Sequence, residues 1–73
     1  MAQDFMGNEL KIGDIVVFQE LNYRNFAVGK IKEITNKTVL LDWWSDLNDL
    51  ELGIPRKSNV RQLHSQVVKQ FLF

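Results

Sequence analysis

Apolar residues recur along this chain at the spacing of strands, and in two segments both faces of the strand are apolar. Ile15-Val16-Val17-Phe18 and Val39-Leu40-Leu41-Asp42-Trp43-Trp44 each present two apolar sets at period two. Residues 26–35 form a third alternating run, with Lys30 and Lys32 on the face opposite Ala27, Gly29 and Ile31. One inward phase suits all three runs. It places Val16, Phe18, Ala27, Gly29, Ile31, Val39, Leu41 and Trp43 inside, and Ile15, Val17, Lys30, Lys32, Leu40, Asp42 and Trp44 outside. A slip of one residue would bury Lys30 and Lys32, which is costly without partners.

Punctuation between the runs supplies the rest of the layout. Gly13-Asp14 is a turn signal ahead of a strand at 15–19, and residues 20–25 form a polar loop. Gly29 marks a bulge or a close backbone approach. Asn36-Lys37 is a short turn that makes a hairpin of the second strand and a third at 38–44. Residues 45–54 break the pattern. Leu47, Leu50 and Leu52 lie between a capping residue, Ser45, and Gly53, which suits one helical turn or a structured loop. Residues 56–63 return, His64-Ser65 turns, and residues 66–73 are rich in β-branched and aromatic types, which favours a strand over a terminal helix. Residues 1–9 read as an N-terminal tail and residues 10–73 as one domain. The expected fold is all-β, a small, partly open, five-stranded antiparallel barrel with an inserted loop or short helical turn at 45–54.

Composition narrows the classes of function. A chain of 73 residues makes one small domain, which buries only roughly 60 % of its unfolded surface. It has no cysteine, so disulfides and thiolate metal sites are excluded, and a reducing cytoplasm is the compartment that fits. No apolar run approaches the roughly 18 residues that cross a bilayer as a helix, and residues 1–6 lack the pattern of a signal peptide. Formal net charge is zero, which argues against a strong nonspecific polyanion binder. The charge is nevertheless segregated. Residues 42–51 hold Asp42, Asp46, Asp49 and Glu51 with no base, while residues 54–70 hold Arg56, Lys57, Arg61 and Lys69 with no acid.

Lys11-Ile12-Gly13-Asp14-Ile15-Val16-Val17-Phe18, Val28-Gly29-Lys30-Ile31-Lys32-Glu33-Ile34-Thr35 and Lys37-Thr38-Val39-Leu40-Leu41-Asp42-Trp43 together resemble the SH3-like small-barrel superfamily, to which Tudor and KOW domains belong. The chain also resembles small uncharacterised proteins of tailed bacteriophages. In that resemblance Gln66-Val67-Val68-Lys69 suits a closing strand, and the stretch between 45 and 59 stands out as an insertion. A Tudor-like methyl-ligand cage would draw on Tyr23, Phe26 and Trp44. The resemblance bears on fold more than on activity.

Candidate chemistry is sparse. The outward Ile15, Val17, Leu40 and Trp44, with Phe71 and Phe73, form the expected protein interface, although the apolar end Phe71-Leu72-Phe73 suits closing the barrel within one chain better than packing on a second subunit, and it or the N-terminal tail would serve to cover Trp44. Lys30, Lys32, Arg56, Lys57 and Arg61 are candidates for anion or nucleic-acid contacts, with Tyr23 and Phe26 available to stack on bases; a solvated face balanced by the acidic segment is the alternative. Asp46, Asn48 and Glu51 suggest oxygen ligands, but Leu50 and Glu51 stand where a calcium loop needs a ligand and a glycine. His64 is the only histidine, and beside Ser65 it suits a turn better than a dyad. The reading is a noncatalytic protein-interaction module with no metal or cofactor, whose partner is a protein, such as a host protein modulated by a phage. A homodimer, a nucleic-acid-binding barrel and a ligand-binding homo-oligomer are the alternatives, and no membrane is expected.

Overall fold

A computed structural model describes residues 2–19 and 26–71. Five strands form one antiparallel sheet: β1 (Ile15–Gln19), β2 (Phe26–Ile34), β3 (Thr38–Trp44), β4 (Lys57–Leu63) and β5 (Val67–Lys69). They are ordered β4-β3-β2-β1-β5, and the sheet is open, with β4 and β5 at its edges. A short helix, α1 (Leu47–Glu51), joins β3 to β4, and a single 3-10 turn at His64–Gln66 joins β4 to β5. The expected loop at 20–25 and the chain end at 72–73, including Phe73, lie outside the described residues.

The inward phase is the core. Val16, Phe18, Ala27, Ile31, Val39 and Leu41 are buried together, joined by Leu10 and Val67, with Trp43, Ile34 and Val60 packed partly buried against them. Trp43 therefore faces the core as expected, but it is only half-buried. At Gly29 the sheet backbone approaches its own core closely. A Cβ there would lie 2.8 and 3.1 Å from the two terminal methyls of Leu41 and 3.2 Å from Phe18 Cε1. Of the two meanings a strand glycine has, close approach is the one found at Gly29.

The register breaks elsewhere. Between Ile31 and Glu33 of β2 the pairing with β3 shifts by one residue, so that Ile31 and Ile34 both reach the core although three positions separate them. A second shift lies between β3 and β4, where Leu41 pairs with Val60 and Trp43 with Lys57. Asn59, inside that shift, has φ 60, a left-handed conformation that asparagine tolerates better than most residues. The bulge and the charged side chains of β4 suit an unpaired edge, since both discourage further strand addition.

Turn chemistry follows the sequence. Gly13 sits at φ 94 between a backbone bond from Asp14 to Lys11 and a side-chain bond from Lys11 N–H to Asp14 Oδ2. Thr35 and Thr38 close the β2–β3 turn through main-chain and hydroxyl contacts. The α1 cap is Asp46 rather than Ser45; its Oδ1 accepts the Asp49 N–H at 2.8 Å.

Residues 2–9, expected as a tail, are docked instead. Gln3 bridges Glu9, Leu10 N–H bonds to Ala2 O, and Phe5 N–H bonds to Val67 O at 3.0 Å. The pin is Asp4, which is 6 % exposed. Its Oδ1 accepts the N–H groups of Met6 and Asn8, and its Oδ2 accepts the Asn8 side chain and the Lys69 N–H, the last at 2.6 Å. Burial opposes the charged form, but these donors outweigh it and hold the Asp4 carboxyl below its ordinary range. The Lys69 ammonium adds bonds to Glu9 O at 3.2 Å and to Asp14 at 3.3 Å. The N-terminal segment thus covers part of the β5 edge.

Two predictions follow from this packing. Gly29→Ala should destabilise the domain by about 1–3 kcal/mol, because Leu41 and Phe18 are themselves fully enclosed and must shift; an unchanged chemical denaturation midpoint would contradict the close approach. Asp4→Asn should cost about 2–3 kcal/mol near neutral pH, since an amide turns an N–H₂ toward donors whichever way it is flipped. A lowered native pKa stabilises above the ordinary carboxylate value, and that contribution fades as pH falls through the lowered value. The gap in unfolding free energy between wild type and Asp4→Asn should therefore be full at neutral pH and narrow below about pH 4; a pH-independent gap would count against the ionised clasp.

Candidate interaction surface

The outer face of the sheet carries a row of apolar residues that runs across four strands. Val68 pairs with Val17, Val17 with Val28, and Val28 with Trp44. The next row is mixed: Ile15 pairs with Lys30, and Lys30 with Asp42. Beyond it Glu33 pairs with Leu40 and Leu40 with Arg61. The expected interface of Ile15, Val17, Leu40 and Trp44 is therefore split over three rows. Ile15, Val17 and Leu40 are half-buried, and Leu40 is flanked by charge.

Trp44 requires a correction. Its phase is outward as expected, but it is only 3 % exposed, so it is not a free anchor for a partner and does not line an open aromatic cage. The chain turns back directly after it. Ser45, Asp46, Leu47 and Asn48 come to lie beside Val17 and Val28, and α1 packs against β3. Its Nε1, like that of Trp43, is buried with no acceptor among the described residues, an arrangement that costs about 1–3 kcal/mol for each such donor.

Between the row and the residues preceding α1 lies a groove of about 450 Å³. Half-buried Val17 and buried Val28 line it. Phe26, 67 % exposed, and Leu47, 44 % exposed, line it as well, together with Asp46. The sequence suggests Phe26 as a cage or base-stacking aromatic, and it does not single out Val28 or Leu47 as surface residues. The signal for Val28 was present, because Ala27 and Gly29 inward puts Val28 outward. Leu52 and Ile54, which follow α1, are 76 % and 80 % exposed. Phe71 is 63 % exposed, with the Lys69 ammonium 5.4 Å from its ring centre.

The candidate anion-binding residues do not converge on a free basic patch. Lys32 reaches Asn59 Oδ1 at 3.0 Å and Asp42 at 3.5 Å, and Arg56 lies 3.8 Å from Asp49. Lys57 sits over the Trp43 ring at 5.6 Å, and Arg61 donates to Thr38 Oγ1 at 3.1 Å. Lys30 is exposed beside Asp42. Asp46 spends one carboxylate oxygen on the helix cap, and among the described residues no group of three histidine or acidic side chains is placed to hold a metal. His64 donates from Nε2 to the Thr38 carbonyl at 3.0 Å, a turn contact. Tyr23 lies outside the described residues.

An open five-stranded antiparallel sheet, clasped at its N-terminus and carrying a short helix beside an apolar groove, defines a small all-β domain. The chain belongs to the family described as domain of unknown function DUF7205, whose model matches residues 2–69. That span runs from the docked N-terminal segment to the last residue of β5, so the clasp lies within the family's domain. No curated protein and no solved structure matches the chain. No helix among the described residues is long and apolar enough to cross a membrane.

Burial of Trp44 makes it a stability residue. Trp44→Ala should cost about 3–5 kcal/mol, against a total of about 4–11 kcal/mol for a domain of this length. Trp44→Glu should leave the chain largely unfolded by circular dichroism. A Trp44→Glu protein that melts within a few degrees of wild type would show that the outer row is dispensable.

Proposed function

We propose that this chain is a noncatalytic protein-interaction module and that the groove beside α1 is its contact surface. The observation that carries this reading is the pair Phe26 and Leu47, two large apolar side chains left exposed where they line the same groove as Val17 and Val28. Exposed apolar side chains beside a shallow, open depression are what interfaces bury. The engagement of Lys32, Arg56 and Arg61 by polar partners within the chain weighs against a nucleic-acid surface.

The strand order β4-β3-β2-β1-β5, with one 3-10 turn leading into β5, supports reading the sheet as a small SH3-like barrel. In that reading α1 and the residues around it are an insertion between β3 and β4, and the insertion supplies one wall of the groove. The resemblance to small phage proteins extends the proposal to a partner from the host cell.

The double variant Phe26→Ala, Leu47→Ala tests this. Phe26 is largely and Leu47 partly solvent-exposed, and neither belongs to the core, so the melting temperature should move by only a few degrees. Capture of a defined protein partner from lysate of the cell of origin should be lost, and Arg61→Ala should retain it. Equal capture by wild type and the double variant would overturn the groove as the contact surface. A gel shift with duplex DNA or RNA that weakens steeply with salt would point instead to phosphate contacts.

A further inference from the structure

We propose that the groove takes a segment that is cationic as well as apolar: a Lys or Arg placed a few residues from a large aliphatic or aromatic anchor. This rests on the reading of the groove as a protein contact and adds the chemistry of the partner. The ground for it is the charge around the groove. Of the four acids in residues 42–51, two are answered within the chain, Asp42 by Lys32 at 3.5 Å and Asp49 by Arg56 at 3.8 Å. Asp46 and Glu51 have no ion pair among the described residues.

Their positions fit a cation beside an apolar anchor. Asp46 lines the groove, and its bond to the Asp49 N–H fixes one carboxylate oxygen on the α1 cap. Glu51 closes α1, and Leu52 and Ile54 follow it as an exposed apolar ledge. An anchor seated against Phe26 and Leu47 would lie next to Asp46, and Glu51 stands at the other end of the same short helix. Like charge would repel an acidic segment from the same place, so complementarity selects among apolar partners as well as strengthening one.

A random peptide library displayed against the immobilised full chain reads this directly. Enriched peptides should combine Lys or Arg with Leu, Ile, Phe or Met within about one helical turn of sequence. The variant Asp46→Asn, Glu51→Gln keeps a capping residue at 46 and should melt like wild type. It should bind the enriched peptide about five- to tenfold more weakly at low ionic strength, and the difference should shrink at high salt.

Enriched peptides without basic residues that still require Phe26 and Leu47 would overturn the cationic partner while leaving the groove in place. Basic peptides that bind the Asp46→Asn, Glu51→Gln variant as tightly as wild type would do the same. Absence of enrichment, or peptides indifferent to Phe26→Ala, Leu47→Ala, would overturn the groove reading as well. Light scattering that shows wild-type self-association, lost in Phe26→Ala, Leu47→Ala with no peptide enriched, would make a second copy of the chain the occupant.

Discussion

A strand has two faces, and this chain has more apolar side chains than one face of a small sheet can hide. That constraint shapes the rest of the molecule. The inner faces of β1, β2 and β3 fill the core with Val16, Phe18, Ile31, Val39 and Leu41, and Gly29 lets the sheet approach Leu41 and Phe18 as no larger residue could. The outer faces still carry Val17, Val28, Val68 and Trp44. Cross-strand pairing gathers these four into one row, so the outer apolar surface is consolidated into a second small layer. Trp44 and Val28 are buried in it, and the groove is what remains where the cover ends.

Covering two faces and two edges with so short a chain leaves little to spare. The N-terminal residues are used for this, and a carboxylate fixes them. Asp4 gathers donors from nearby Met6 and Asn8 and from distant Lys69, and Lys69 gathers Glu9 and Asp14 in turn. Hydrogen bonds to an ionised acceptor are stronger than neutral ones. A short β5 of three residues, paired on one side with β1, therefore gains contacts along its other side without a sixth strand.

The core and the strands were legible because period two is a local property. Val16, Phe18, Ala27, Ile31, Val39 and Leu41 declare their face within their own segments, and Gly13-Asp14 and Asn36-Lys37 declare their turns. The outer surface was less legible because it depends on register between strands. Nothing within residues 38–44 shows that Trp44 stands opposite Val28 while Leu40, four residues earlier, stands between Glu33 and Arg61. The shift at Lys32 changes which residues of β2 meet Leu40, and β-bulges leave no reliable mark in one strand's pattern. Asp4 was read as part of a tail because its donors are supplied by tertiary structure, one of them from 65 residues away.

Segregated charge acquires meaning only on this frame. In sequence, the acids of 42–51 and the bases of 54–70 cancel and suggest a solvated, self-neutralising surface. In three dimensions the cancellation is selective. Lys32 and Arg56 answer Asp42 and Asp49, while Lys69 is committed to the N-terminal clasp and Lys57 to the Trp43 ring. The acids left over are Asp46 at the groove and Glu51 at the end of α1, beside leucines that a fold seeking only solubility would have made polar. Exposed Leu47, Leu52 and Ile54 share the β3–β4 connection with these acids, while the clasp segment leaves Phe5 and Met6 exposed. On the proposed reading, a partner would meet Leu47 and the acids of this connection while the Asp4 bonds, which use residues 2–9 and β5, stay in place.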